Sequence, residues 1–162
     1  MTAFLYRAPS GVAGDITRQQ DTIVESGLLN SAKAPAAFGA PVKIVSGKFE
    51  KIEASDAATV FAGVLSRIAP SIAGDTAQTF ASGTPNVESV QGIVVKGYVN
   101  VVCAQGTPVR GAAVYVRTTA DTGKAVGDFE TAADSGKCVA IAGVTWAVDG
   151  KDASNVAEIR IA

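Results

Sequence analysis

The chain has 162 residues, a formal net charge of −1 and no histidine; 48% of its residues are hydrophobic and 18% are charged. The absence of histidine excludes catalytic sites of the Ser-His-Asp and Cys-His kinds. It also excludes zinc sites that contain histidine. A net charge near zero, with no run of Lys or Arg, offers nothing for the counterion release that drives nucleic-acid binding, so no direct nucleic-acid partner is expected.

The N-terminus is predicted to be an extended arm over residues 1–20. Pro9, Gly11 and Gly14 interrupt it, and no hydrophobic period runs through it. It lacks the basic and apolar regions of a signal peptide. The remaining residues, 21–162, are predicted to form a single β-rich domain, with 21–90 and 91–162 as its sub-lobes if it is divided.

Strand signals follow in the first half. Residues 22–29 are predicted to be a strand, and 31–40, rich in Ala, Gly and Pro, a loop. A hairpin is predicted with its turn at Ser46-Gly47-Lys48. Residues 59–67 are predicted to form a buried strand that Gly63 interrupts. Residues 69–90 contain no clear element and are predicted to be a long irregular loop.

Alternating patterns dominate the second half. One strand face is predicted to carry Ile93, Val95, Val99, Val101 and Cys103. In residues 112–118 the same alternation predicts Val114 and Val116 inward, with Tyr115 and Arg117 outward. Further strands are predicted over 137–148 and at the C-terminus.

These elements predict an all-β fold, a small antiparallel β-barrel or sandwich with an extended N-terminal arm and long loops. No helix is predicted, except that residues 55–62 or 69–81 could hold a short one. The longest strongly apolar stretch, residues 139–148, is too short to cross a membrane, so no membrane partner is expected.

Catalytic and cofactor motifs give no support for an enzyme. Nucleotide-binding glycine motifs and calcium-loop spacing are absent, so no catalytic residue, cofactor or metal ligand is predicted. Asp128 and Glu130 could share one strand face as a carboxylate pair, but a solvated face is the favoured interpretation. Cys103 and Cys138 are predicted to be buried, inert thiols, and Trp146 to be a core residue.

Several segments resemble one family. These are Gly97-Tyr98-Val99-Asn100-Val101, then 106–111, then Val114-Tyr115-Val116-Arg117, together with 127–130, the terminal 157–161 and the Gly-rich lead-in Pro9 to Asp15. In their order they resemble the capsid cement, or decoration, proteins of tailed bacteriophages. The matches touch both ends of the chain and cover about half of it by inspection.

The resemblance implies a structural virion protein, made in the host cytoplasm, that sits on the capsid exterior and joins neighbouring capsomers against internal DNA pressure. It implies the major capsid protein and further copies of this chain, as homodimer or homotrimer, as partners. The alternatives are another virion component, such as a tail or fibre-base adhesion module, and a β-barrel that binds a small ligand.

The arm is predicted to make contact with the capsid or a neighbouring subunit, because an exposed free tail has no need of apolar anchors. The predicted contact residues are Phe4, Leu5, Tyr6, Arg7, Val12, Ile16 and Arg18.

Overall fold

A computed structural model describes residues 11–67 and 84–162 of the chain. The regular secondary structure of these residues is nearly all β, as the sequence predicts. The strands are β1 (Ile23–Leu28), β2 (Pro41–Val45), β3 (Lys48–Lys51), β4 (Gly63–Leu65), β5 (Val90–Gln105), β6 (Ala113–Arg117), β7 (Phe129–Glu130), β8 (Cys138–Trp146) and β9 (Val156–Ile161). Two 3-10 turns, Gln19–Asp21 and Ala58–Val60, complete the regular structure of these residues.

The long strand β5 organises the fold because two groups of strands pair with it. Its first half pairs with β1 and β4, and β4 continues through β2 to β3. Its second half belongs to a closed ring of five strands, in which β5 pairs with β7 and β9, and β6 and β8 complete the circle. We call these the N-terminal sheet and the C-terminal barrel. The predicted sub-lobe boundary at residues 90 and 91 falls at the start of this shared strand.

All but one of these pairings are antiparallel. The exception is β5 with β7, which is parallel and involves Cys103 and Phe129. The N-terminal sheet curls until an isolated bridge joins Leu29, just after β1, to Phe49 in β3. Curling and closure of this kind leave few exposed strand edges.

Two hydrophobic clusters correspond to these two groups of strands. The cluster of the N-terminal sheet consists of Leu29, Val42, Phe49, Leu65 and Ile93. The larger cluster fills the C-terminal barrel around the buried Trp146, confirming the prediction that this residue belongs to the core. Val64 and Val94 also belong to the larger cluster, so the N-terminal sheet contributes to both.

The hairpin predicted around Ser46-Gly47-Lys48 is confirmed. β2 and β3 pair antiparallel, and the loop residues Ser46 and Gly47 have φ of 51° and 76°. Positive φ at both positions is the geometry of the two-residue turn whose twist matches that of the flanking strands. The predicted strand over 22–29 and the loop over 31–40 are confirmed as well.

The predicted single apolar face of β5 is wrong. Ile93 belongs to the cluster of the N-terminal sheet, whereas Val94 and then Val99, Val101 and Cys103 belong to that of the C-terminal barrel. The inward-facing parity therefore changes between Val94 and Val99. Gly97, with φ of +113°, lies between them, and the β1 pairing shifts register opposite this stretch. A β-bulge of this kind re-aims the side chains beyond it.

Two other sequence predictions need correction in the described residues. Gly63 does not interrupt a strand but begins β4, and a 3-10 turn precedes it. Arg117, predicted to point outward, is completely buried, and Glu130 is only 3% exposed. The predicted irregular segment 69–90 is described only from residue 84, where no regular element occurs before Val90.

Candidate interaction surface

The last part of the predicted arm, residues 11–18, lies antiparallel along β5. The Gly14 amide donates to the Asn100 carbonyl at 2.8 Å, and the Asn100 amide donates to the Asp15 carbonyl at 3.0 Å. The Thr17 amide donates to Tyr98 at 3.3 Å, and an isolated bridge pairs Ile16 with Val99. This segment therefore adds a short strand-like edge to β5, using backbone groups that pairing with β9 leaves available.

Side chains attach the same segment to the barrel. The Arg18 guanidinium binds the Glu158 carboxylate at 3.0 Å and lies 3.9 Å from the centre of the Tyr98 ring. The Thr17 hydroxyl donates to the same carboxylate, and Ile16 packs against the barrel's hydrophobic cluster. A cation over an aromatic face and a largely buried carboxylate both favour a fixed position for Arg18.

The predicted contact residues therefore divide into two groups. Ile16 and Arg18 make contacts within the chain, and Val12 is half-buried beside them, its amide donating to the Asp15 carboxylate at 3.2 Å. Phe4, Leu5, Tyr6 and Arg7 lie outside the described residues. The structure brings the first group together on the C-terminal barrel. Residues 1–10 precede this group in the chain.

An exposed apolar face lies on β1 and the start of β5. Val24, Leu28 and Val90 are 40%, 46% and 57% exposed, and Leu28 lies directly opposite Val90 in the antiparallel pair. Ser26 lies opposite Gly92, whose missing side chain makes room for Val24: an added Cβ would lie 2.8 Å from a Val24 methyl group. We call Val24, Ser26, Leu28 and Val90 the β1 face.

A shallow cleft of about 580 Å³ lies where the arm meets the barrel. Thr22, Lys96, Gly97, Tyr98 and Arg160 are among the residues that line it. It is open to solvent, so it does not enclose a small molecule as ligand pockets do.

A buried ionic cluster lies on the outer side of β6. Both oxygens of Glu130 accept hydrogen bonds from the Arg117 guanidinium, which also binds Asp134 at 2.7 Å and the Thr119 carbonyl at 3.2 Å. Lys124 binds Asp134 at 3.1 Å. Hydrogen bonds from Arg117, then Lys124, lower the pKa of Asp134 to about 2, and the bond with Glu130 raises the pKa of Arg117. Every charge in the cluster is paired, which suits a structural role better than a catalytic one.

The two thiols are buried and unbonded to each other, as predicted. Burial raises the pKa of Cys138 to about 11, and the hydrogen bond to Glu130 adds to the effect. Burial likewise raises the pKa of Cys103. Because the thiolate is the nucleophile, both shifts disfavour thiol chemistry at neutral pH.

Residues 11–67 and 84–162 offer little for a metal site or a membrane-spanning helix. They contain no group of three or more metal-ligating Cys, Asp or Glu side chains. No helix in this part of the chain is long and apolar enough to span a membrane. The features that remain are surfaces, namely the attached arm and the β1 face.

A family model described as XM1 gp53 minor capsid protein matches residues 1–161. The chain belongs to the XM1 gp53 minor capsid protein family. The predicted relationship to proteins of the phage capsid is thereby confirmed, and the role is that of a structural component of the virion capsid.

A solved structure agrees with this family at the level of the fold. A chain of the capsid of the myovirus XM1 matches with a TM-score of 0.69 over 98% of this chain and 94% of its own length, at 17% identity. Among curated proteins the comparison finds no match. The fold of that XM1 capsid chain is thus shared at an identity too low to carry individual side-chain contacts.

Sequence reasoning missed the intrachain role of Arg18 and the whole Arg117 cluster. One signal was present for the second: Arg117, Glu130 and Asp134 are charges within or close to otherwise apolar strands, where an unpaired charge would be costly. The partner of Arg18 could not be found this way, because Glu158 is separated from it by most of the chain.

Proposed function

We propose that this XM1 gp53 family member is a cement protein that binds the outside of the capsid and joins neighbouring capsomers. Its partner is the major capsid protein, and it is made in the host cytoplasm before joining the particle. The observation that carries the proposal is the match of a minor capsid protein family over residues 1–161. The all-β fold, with its apolar β1 face, is consistent with a protein that acts through surfaces.

The capsid context favours this function over a tail or fibre-base module. The family description and the XM1 structure both refer to capsids, not to tails. We propose no enzymatic activity, cofactor, nucleic-acid partner or membrane partner. The family's structural character and the net charge of −1 support that part of the proposal.

The arm, residues 1–20, is the proposed capsid contact. Hydrogen bonds and ion pairs that involve Gly14, Asp15, Thr17 and Arg18 attach its second half to the barrel, so the segment before Gly11 is joined to an attached one. That segment holds Phe4, Leu5, Tyr6 and Arg7, residues of the types that dominate binding energy in protein interfaces.

Binding to capsids assembled without the protein tests this function. Full-length protein should saturate the particles at a stoichiometry near that of the capsid subunits and remain accessible to antibody from outside. Substoichiometric binding confined to one vertex would contradict the cement role and support a tail-associated one. Binding to no part of the capsid would refute both.

Two variants test the arm separately from the function. One lacks residues 2–10, and its matched control replaces them with a Gly/Ser sequence of equal length; both keep the bonds of residues 11–18. Each should lose affinity by roughly a hundredfold or more, because interface anchors contribute about 2 kcal/mol or more each. Unchanged affinity, in protein whose circular dichroism is native, would show that the capsid contact lies elsewhere.

A further inference from the structure

The cleft where the arm meets the C-terminal barrel is formed by three segments of the chain. It is lined by residues 20–23, which join the arm to β1, by residues 96–98 of β5, and by residues 160–162 at the end of β9. Tyr98 lies directly opposite Arg160 in the pairing of β5 with β9. Opposed residues of an antiparallel pair share a face of the sheet, with Cβ atoms about 4.5–5.5 Å apart. Tyr98 and Arg160 are therefore neighbours in the cleft.

Two cations of this cleft, Lys96 and Arg160, are exposed and form no ion pair with any residue of 11–67 or 84–162. Neither Asp21 nor Ala162, which line the same cleft, pairs with them. Other cations in this part of the chain do have carboxylate partners, namely Arg18, Lys33, Lys43, Arg117, Lys124 and Lys137. The cleft therefore brings together two positive charges that the described part of the fold does not use.

The tyrosine beside these cations is held in place by the chain itself. The Arg18 guanidinium lies 3.9 Å from the centre of the Tyr98 ring and binds Glu158 at 3.0 Å. The Tyr98 amide donates to the Thr22 hydroxyl at 3.3 Å. A side chain that is already positioned loses little entropy when a partner binds, and Tyr and Arg are the residue types most frequent at binding hot spots.

The shape of the cleft restricts the kind of partner that fits it. It is shallow and open to solvent, whereas pockets for small molecules cover most of the ligand surface. An extended segment of another protein needs cover on one side only. Carboxylates on that segment would pair with Lys96 and Arg160, and an Arg guanidinium can bind a carboxylate through two parallel hydrogen bonds.

We propose that this cleft binds an acidic segment of the major capsid protein, whose Asp or Glu side chains pair with Lys96 and Arg160. The inference rests on the proposed function, because the partner is the one named there. It adds a second contact to the one proposed for the arm. Two contacts carried by one molecule reinforce each other, since the second forms at a raised effective concentration.

Charge reversal tests the cleft in binding to capsids assembled without the protein. Lys96→Glu/Arg160→Glu should bind at least about tenfold more weakly than wild type, because two attractive pairs become repulsive. The matched control, Lys48→Glu/Lys51→Glu, changes the net charge equally at exposed cations of β3 outside the cleft and should bind like wild type.

A neutral variant keeps the test independent of folding. Lys96→Gln/Arg160→Gln should bind with an intermediate affinity, and added salt should weaken its binding less than that of wild type. Because the replaced cations have no ion-pair partner in the described residues, the variants should melt close to wild type by circular dichroism. If the Glu variant unfolds, the neutral variant decides the result.

A zero-length cross-linker identifies what occupies the cleft. A carbodiimide joins an amine to a carboxylate that lies in direct contact with it. On particles that carry the protein it should join Lys96 to an Asp or Glu of the major capsid protein, as identified by mass spectrometry of the digest. The exposed Lys48, outside the cleft, should give no such product.

Three results would overturn the proposal. One is equal capsid binding by Lys96→Glu/Arg160→Glu and its matched control. Another is tighter binding by the reversed variant, which would indicate a basic partner segment. The third is cross-linking of Lys96 only to its own chain or to another copy of it. Failure of wild-type protein to bind capsids is a different outcome, because it refutes the proposed function itself.

Discussion

Arg117 illustrates how far a residue-level pattern can be trusted in this XM1 gp53 family member. Alternation in β6 correctly predicts Val114 and Val116 in the core, and by the same rule it places Arg117 outside. The two-residue alternation shows on which face of the strand a side chain lies, but it does not show what covers that face. Here β7 and the residues after it cover it, so Arg117 is 0% exposed and pairs with Glu130.

The pairing predicts a large, non-additive effect of substitution. Arg117→Leu leaves Glu130 buried without its partner and should lower the free energy of unfolding by about 3–5 kcal/mol. The double variant Arg117→Leu/Glu130→Leu should lose less, because no uncompensated charge then remains at that position. Urea unfolding of both variants and of Glu130→Leu gives the coupling energy. A double variant less stable than either single variant would contradict the account.

Acid should weaken the same cluster. The pKa of Asp134 is lowered to about 2 from an ordinary 3.8, chiefly by the Arg117 hydrogen bond. A lowered carboxyl pKa stabilises the folded state above the ordinary value, and the effect is lost as pH falls toward the folded value. Asp134→Asn should therefore melt at a lower temperature than wild type at pH 7, with the difference shrinking below about pH 4.

Asp121→Asn is the matched control for that titration. Hydrogen bonding from Lys137 also lowers the pKa of Asp121, but both side chains of this pair are substantially exposed. Exposed pairs contribute little to stability. Melting temperatures recorded from pH 7 down to pH 2 should thus show a smaller difference for Asp121→Asn. A pH-independent difference for Asp134→Asn would show that its ionisation is not what stabilises the fold.

At the scale of the secondary-structure elements, the position of Gly97 in β5 matters most for stability. It lies where β5 passes from the N-terminal sheet to the C-terminal barrel. Its φ is +113°, and an added Cβ would lie 2.3 Å from the Thr22 hydroxyl and 2.6 Å from the Asp21 carbonyl. These atoms belong to the segment between the arm and β1. A side chain at residue 97 would therefore both strain β5 and push this segment away from it.

Gly97→Ala should destabilise the protein by about 2 kcal/mol or more, combining backbone strain with the collision. Gly123→Ala is the matched control: its φ is +71°, but nothing lies within 4 Å of its added Cβ, so only strain is present. Thermal unfolding should rank wild type above Gly123→Ala and Gly123→Ala above Gly97→Ala. Equal stability of the two variants would mean that the segment moves aside without cost.

Local signals predicted some elements well and others poorly, for physical reasons. Gly47 identified its hairpin because glycine accepts positive φ, a property of the residue itself. β5 was misassigned because one strand serves two clusters, and nothing in the alternation of Ile93, Val95 and Val99 shows that the partners change midway. The packing of β3 beside the end of β1 was likewise invisible, because these strands are distant in sequence.

At the scale of the whole molecule, the sequence predicted the all-β class and the relationship to phage capsid proteins. Both rested on patterns that extend over the chain: repeated short strands between Gly turns, and an ordered set of matching segments. The capsid contact involves another molecule. It is a proposal that rests on the attached arm.

The temperature at which particles release their DNA tests the cement role most directly. Particles assembled without the protein, the same particles with full-length protein added back, and particles mixed with the variant lacking residues 2–10 are heated in parallel. A protein that binds the intact shell but not its dissociated subunits stabilises the shell, by about 4 kcal/mol per site at a thousand times its dissociation constant. The account predicts release at a clearly higher temperature with the full-length protein than in the other two samples. Release at the same temperature from particles with and without bound full-length protein would contradict it.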